Sequence, residues 1–212
     1  MRILRFSDML NEEFSKNDPI PEFVEKSNLG IILFGAPGSG KSTFASSEIT
    51  RKMKSVKVFS TDDVSKTFTK NSKEYRSGSS NLNFNRLMNF IDSGQNFVYD
   101  TTISSTQKMM EVTYKAEQSG YKIIFIHIVV DLETAKKQNV MRSKDGGHEV
   151  DLNYIEVSYK KQFQSMRDIE KYLKPDAYYV VMNRPTGYKY MKMDNGKLLK
   201  RKVDKYVPVS KI

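Results

Sequence analysis

The segment Gly35-Ala36-Pro37-Gly38-Ser39-Gly40-Lys41-Ser42 sets two glycines, a lysine and a hydroxyl at the spacing GxxxxGK(S/T), and Thr43 follows directly. Residues of these types at this spacing can hold a phosphate. Glycines let the chain turn so that successive backbone N–H groups converge on a phosphate, and the lysine neutralises the β and γ oxygens of a nucleoside triphosphate. The serine hydroxyl can ligate Mg²⁺, and a helix opening at Lys41 would add its positive N-terminus. Residues 35–43 are therefore the candidate ATP-binding loop, with Lys41 as the phosphate clamp and Ser42 as a metal ligand.

Three further stretches carry groups that could act on the bound phosphate. Ser60-Thr61-Asp62-Asp63 ends an apolar run, and a carboxylate there can take the proton of an acceptor hydroxyl; Asp62 is the first candidate for the base and Asp63 the second. An Asp in that place can equally be a helix N-cap. In Phe97-Val98-Tyr99-Asp100-Thr101-Thr102 a single acid follows an apolar strand, so Asp100 is a magnesium or substrate contact, with Thr101 beside it on the acceptor side. Asp100 lacks the neighbouring glutamate that activates water, which favours phosphoryl transfer over hydrolysis and sets motor and AAA machines aside. A guanine-reading NKxD segment is absent, and Val129-Val130-Asp131-Leu132-Glu133-Thr134 stands where it would fall. The stretch 140–150, with Gly146 and Gly147 as a hinge and Arg142, Lys144 and His148 as cations, reads as a lid over the triphosphate. Arg142 is suited to a transferring phosphoryl group because its planar fork binds two oxygens, although it could instead oppose a helix dipole.

These groups need a scaffold that brings strand ends together. Five apolar runs of strand length, 29–34, 56–60, 96–100, 121–130 and 177–182, alternate with segments of helical period. Phe84, Leu87, Met88 and Ile91 form one helical stripe, and Leu152, Ile155, Tyr159, Phe163 and Met166 another. The pattern predicts a three-layer α/β/α fold with a five-stranded, mostly parallel sheet. Gly94 and Gly120 are expected as left-handed helix caps, and Pro175 ends the last long helix. The polar stretch 71–80, with Gly78, is expected to be a surface loop. Beyond the core, 188–193, a turn at Asn195-Gly196 and 197–203 read as a β-hairpin. The expected organisation is an N-terminal extension over 1–28, a core over 29–183 and a basic hairpin appendage over 184–212.

Composition narrows the partners. The chain has 212 residues, no cysteine and two histidines, which excludes disulfides and thiolate or His-rich zinc sites. Neither a membrane-length apolar run nor a signal-peptide core is visible, so a cytoplasmic protein is expected. The net charge is +10, and residues 185–212 hold eight bases against two acids, an excess of +6. Such an end is either a solvated tail or a face for a polyanion.

As a set, "GAPGSGKST", "FSTDDV", "VYDTTIS" and "MRSKDGGHEV" resemble the P-loop kinases that include polynucleotide 5'-hydroxyl kinases and the zeta-toxin group, over roughly residues 29–182. The resemblance implies ATP and Mg²⁺ as cosubstrates, Lys41 and Ser42 on the donor side, Asp62 as base and Arg142 on the phosphates. "DTT" and the "GGH" lid are similar to zeta toxins, which phosphorylate a UDP-linked amino sugar, yet the arginine usual before the tyrosine of the post-lid helix is here Ser158. "TDDV" and "SYKKQF" are similar to the polynucleotide kinases, yet their end-reading arginine is here Ser65. Kinases of hydroxymethylated bases in viral DNA modification fit both a basic end and that serine. The expected acceptor is thus a hydroxyl on a nucleic acid or nucleotide, a 5'-OH end or a modified base. A UDP-sugar and a nucleic-acid-binding ATPase are the alternatives.

Overall fold

The computed structural model describes residues 28–61, 64, 73–102, 106–144, 150–184 and 187–193. Its centre is β1 (Leu29–Phe34), in which Ile31, Ile32, Leu33 and Phe34 are all fully buried. A strand apolar on both faces must be covered on both, and each such side chain contributes about 1.5–3 kcal/mol. β2 (Lys57–Ser60), β3 (Phe97–Thr101), β4 (Lys122–Val129) and β5 (Ala177–Arg184) complete the parallel part of the sheet. With β6 (Gly187–Met193), antiparallel to β5, the order is β2-β3-β1-β4-β5-β6. The parallel register aligns Leu33 with Asp100 and Ser60 with Asp100, so β1, β2 and β3 end side by side.

Helices cover the two faces. After β1, α1 begins as Lys41–Phe44 and continues in the wider turns of a π-helix over Ala45–Thr50; it packs Phe44, Ala45 and Ile49 against Ile31, Leu33 and Ile126. The opposite face of the sheet, with Ile32, Phe34, Phe97 and Phe125, is covered from α2 (Lys73–Phe90), α3 (Thr106–Gln118) and α5 (Leu152–Tyr172). α4 (Leu132–Lys144) lies along the first turns of α5, joined to it by Lys136–Glu156 at 2.6 Å and by Ala135 against Ile155. The two expected helical stripes fall on α2 and α5; Leu87, Ile91, Ile155 and Met166 are buried, while Leu152 at the start of α5 is 48 % exposed. Gly94 and Gly120 take left-handed φ of 69° and 79°.

The sheet is the expected mostly parallel one, with a sixth strand added. Residues 188–193 form the expected strand, which pairs antiparallel with β5, Arg184 standing opposite Gly187. The turn at Asn195-Gly196 and the strand 197–203 lie outside the described residues, as do residues 1–27. A second difference concerns 71–80. Residues 73–80 are helical, the first part of α2, and 71–72 are outside the description. Gly78 ends no helix there: a Cβ on it would meet nothing within 4 Å. Tertiary contacts hold this polar stretch in the helix, because Lys108 of α3 donates to Ser80 Oγ at 3.2 Å and to Asn81 Oδ1 at 2.7 Å.

Candidate active site at the ends of the parallel strands

The loop 35–40 leaves β1 at its C-terminal end and enters α1 at Lys41. Two of its glycines are required by close approach and by backbone sign. Gly40 has φ 88°, and a Cβ there would run into the Asn183 amide; Gly38 has φ 75°, and a Cβ would strike the Ala135 carbonyl oxygen. Both conformations are costly for any residue with a Cβ. Pro37 and Ser39 are buried, and Ser39 N–H closes the turn onto Ala36 O at 3.1 Å. Lys41 is only 8 % exposed and donates Nζ to Gly35 O at 3.1 Å and Ala36 O at 3.0 Å. Its ammonium is thus held across the loop, over the concavity that a phosphate would fill.

Ser42 and Asp100 are brought together as their expected roles require. Ser42 Oγ donates to Asp100 Oδ2 at 3.2 Å, although 58 residues separate them. Asp100 is 6 % exposed, at the end of β3 with Thr101 next in the strand. Mg²⁺ prefers hard oxygen ligands and binds through one or two carboxylates plus substrate phosphates. A hydroxyl and a carboxylate oxygen at this distance fit that donor set. Among the described residues there is no group of three or more His, Cys, Asp or Glu placed to hold a metal ion.

Other expected site residues are placed less closely. Thr43 is exposed in the first turn of α1, and Thr101 Oγ1 donates to Thr102 O at 3.3 Å. Arg142 stands exposed in the last turn of α4, beside Lys144, where cations oppose the helix dipole. It lies seven residues beyond Ala135, hence on the same side of α4 and about 10 Å further along the axis. Asp62, Asp63 and His148 lie outside the described residues, and so do Ser65 and the glycine pair 146–147. The base of the expected lid is described, however. Asn139, buried in α4, donates Nδ2 to Val150 O at 2.8 Å and accepts from Val150 N at 3.2 Å, which pins the far end of the segment to the helix before it. Asp151 then caps α5, its Oδ1 accepting from Tyr154 N. Asp131 caps α4 through Thr134 N and Oγ1; burial would raise its carboxyl, but these bonds outweigh it and hold the group below its ordinary value.

Three side chains that support the loop were not singled out in the sequence. Asn183, at the end of β5, donates Nδ2 to Ser39 O at 3.0 Å. Gln162 of α5 accepts Ala36 N–H on Oε1 at 3.3 Å, and the same oxygen is 3.1 Å from His127 Nε2. His127 is fully buried in β4, its ring stacked 4.6 Å from that of Phe34. Burial lowers its pKa to about 4, against the opposing hydrogen bond from Gln162 and with help from the nearby Lys41 charge. A signal for these residues did exist: a polar side chain inside an apolar run, as in "IIFIHIVV", must be buried with a partner. Tyr188, by contrast, belongs to an alternation of Tyr188 and Tyr190 with Lys189 and Lys192 that base stacking beside phosphate contacts would suit. It is half-buried, its ring edge-on to Phe44 at 5.0 Å, and serves the core of α1.

A parallel sheet with a glycine-lysine phosphate loop after β1, a hydroxyl and a carboxylate paired beside it, and helices on both faces defines a P-loop nucleotide-binding protein. The chain belongs to the AAA domain family, whose model matches residues 31–165. The expectation that set AAA machines aside concerned hydrolysis, and the absence of a glutamate beside Asp100 stands. No curated protein sequence matches the chain. Among solved structures, the PezAT chromosomal toxin–antitoxin system of Streptococcus pneumoniae is similar at 15% identity and TM-score 0.59, over 74% of this chain and 69% of that one. The AvrRxo1-ORF1:AvrRxo1-ORF2 complex is similar at 15% identity and TM-score 0.60, over 89% of this chain and 67% of that one. The Pnkp1/Rnl/Hen1 RNA repair complex matches at 21% identity and TM-score 0.56; 68% of this chain aligns, spanning 47% of that chain. These likenesses establish a common fold. Among the described residues no helix is long and apolar enough to cross a membrane.

Proposed function

We propose that this protein is a kinase that transfers the γ-phosphoryl group of ATP to a hydroxyl of a nucleic acid or nucleotide. The observation that carries the donor half is the 3.2 Å hydrogen bond between Ser42 and Asp100, next to Lys41 and without a neighbouring glutamate for hydrolysis. An AvrRxo1 complex of similar fold was solved with ATP, which supports that nucleotide. In this reading the loop N–H groups and Lys41 hold the β and γ oxygens, and Lys41 exchanges its present carbonyl partners for them. Mg²⁺, held by Ser42 and Asp100, would neutralise charge on the same oxygens. Asp62 accepts the proton of the acceptor hydroxyl as that oxygen bonds to the γ-phosphorus, and the bond to the β-bridging oxygen breaks to release ADP. Arg142, from the expected lid, contacts the transferring group. Asp62 is two residues along the chain from Ser60, whose register partner is Asp100, and this proximity supports it as base.

The polynucleotide part of the reading rests on charge. Residues 185–212 carry an excess of +6, and β6 is the edge strand of the sheet. Every lysine along a phosphate backbone adds affinity, whereas a UDP-sugar needs few. Because Tyr188 packs on Phe44, stacking contributes less to this reading than charge does. Incubation of γ-labelled ATP with DNA, RNA, nucleotides and UDP-sugars tests it directly. Label on a polynucleotide or nucleotide supports the proposal, label on a UDP-sugar transfers the chemistry to a small acceptor, and label found only as free phosphate makes the protein an ATPase.

A further inference from the structure

Ala36 is the second residue of the phosphate loop, and both of its peptide groups are spoken for. Its carbonyl oxygen accepts from Lys41 Nζ at 3.0 Å and from Ser39 N at 3.1 Å. Its N–H points away from the concavity, to Gln162 Oε1 at 3.3 Å. Gln162 comes from a distant part of the chain, 126 residues on, and is 1 % exposed. Both groups facing its oxygen must be donors. A backbone N–H can only donate, and an amide oxygen can only accept, so His127 presents Nε2–H and carries its lone pair on Nδ1. The Gln162 amide nitrogen, in contrast, is buried with no hydrogen-bond partner among the described residues. The oxygen is thus the atom through which Gln162 acts, shared between Ala36 N–H and the His127 ring that stacks on Phe34.

The helix that carries it has a second connection. α5 begins at Leu152, directly after the Asn139–Val150 clamp at the base of the expected lid. Gln162 stands ten residues into that helix, about 15 Å along its axis. A rigid helix therefore runs from the lid base to the peptide on which Lys41 rests. We propose that Gln162 is a positioning residue for triphosphate binding: by accepting from Ala36 N–H it fixes the loop in its phosphate-receiving shape and ties that shape to the helix following the lid. The inference rests on the reading of residues 35–43 as an ATP site, and is independent of the acceptor.

Two substitutions separate the hydrogen bond from mere packing. Gln162→Leu keeps the volume and removes the acceptor, leaving the Ala36 N–H and the His127 N–H buried without it. Gln162→Glu keeps an acceptor oxygen in either protonation state and replaces the amide nitrogen by a second carboxyl oxygen, which burial favours in its protonated, uncharged form. Binding of a fluorescent ATP analogue with Mg²⁺ to the folded full-length chain is measured for each, alongside thermal unfolding. Gln162→Leu is expected to weaken binding about tenfold, and Gln162→Glu to stay within about threefold of the unsubstituted protein. Gln162→Asn, which withdraws the oxygen by one methylene, should weaken binding as the leucine does, and provides the measurement if the leucine variant does not fold. Unchanged affinity in the leucine or asparagine variant overturns the proposal, as does equal weakening by glutamate and leucine. A purely structural role would lower the unfolding temperature without moving the dissociation constant of the folded protein. Failure of the unsubstituted protein to bind the analogue is a different result: it removes the ATP-site reading itself.

Discussion

His127 makes the stability of this protein depend on pH in a calculable way. Its imidazole is fully buried against Phe34, so desolvation lowers its pKa from 6.5 to about 4, with the hydrogen bond to Gln162 opposing and the Lys41 charge assisting. In the unfolded chain the same group takes up a proton as the pH falls below 6.5, whereas in the folded protein it stays neutral until about 4. Between these values the unfolded state binds more protons, so stability falls with falling pH. At about 1.4 kcal/mol per pH unit, the full window amounts to about 3 kcal/mol. His127→Phe fills the slot with a ring that does not titrate. Urea unfolding of both proteins from pH 7.5 to 4.5 measures the difference, and subtraction removes carboxylates such as Asp131 that titrate in both. The variant should gain relative to the unsubstituted protein by roughly 1.4 kcal/mol per pH unit below 6.5, whatever its offset at pH 7.5. NMR titration gives an independent reading, because only two histidines exist and His127 should hold its neutral shift down to about pH 4. A difference that stays flat with pH, together with a histidine pair that titrates entirely near 6.5, would refute the buried neutral imidazole.

Lys41→Ala removes the ammonium that spans Gly35 O and Ala36 O, and should lower kcat/KM for ATP by roughly 10²-fold or more; near-normal turnover would sink the phosphate-loop assignment. Asp100→Asn keeps an acceptor for Ser42 but removes the charge, so Mg²⁺-dependent ATP binding should weaken about 10- to 100-fold while binding without metal changes little; titration of the ion against a fluorescent nucleotide decides. Asp62→Asn should reduce kcat with ATP affinity retained, and if Asp63→Asn is the damaging change instead, the base is Asp63. Removal of residues 194–212 leaves β6 paired to β5, and should raise KM for polynucleotide acceptors while sparing small ones and flattening the salt dependence; equal loss on both would leave the basic end with no acceptor role.

The strands were legible because β-branched and aromatic runs buried on both faces have few other structures open to them. β1 coincides with its apolar run, and β4 and β5 depart from theirs by one or two residues. One element was misread for an identifiable reason. The polar start of α2 has no stripe of its own, and Lys108, which fastens Ser80 and Asn81, comes from a helix 27 residues away. The decisive partner, Lys108, stood outside the window in which the pattern was read. The strand 188–193 stands as expected and pairs antiparallel with β5, Arg184 opposite Gly187 at φ 111°, while the turn at Asn195-Gly196 lies outside the described residues.

The same division runs through the site. The motif specifies a loop able to receive a phosphate, yet a short glycine-rich segment in isolation has many shapes, and glycine loses more freedom than any other residue when one is chosen. Here the shape is chosen from outside. Gln162 of α5 holds the Ala36 N–H, Asn183 of β5 holds the Ser39 carbonyl, and α4 brings the Ala135 backbone so close to Gly38 that no side chain fits there. The first two partners are 126 and 144 residues away in sequence. Each comes from outside the loop and the helix it opens: α4, α5 and the last parallel strand. The shape of the loop is therefore set by this chain's own α4, α5 and β5 as much as by the motif itself. Substitutions at Gln162 and Asn183 should consequently act on nucleotide affinity without touching the acceptor, a separation that no change within residues 35–43 could achieve.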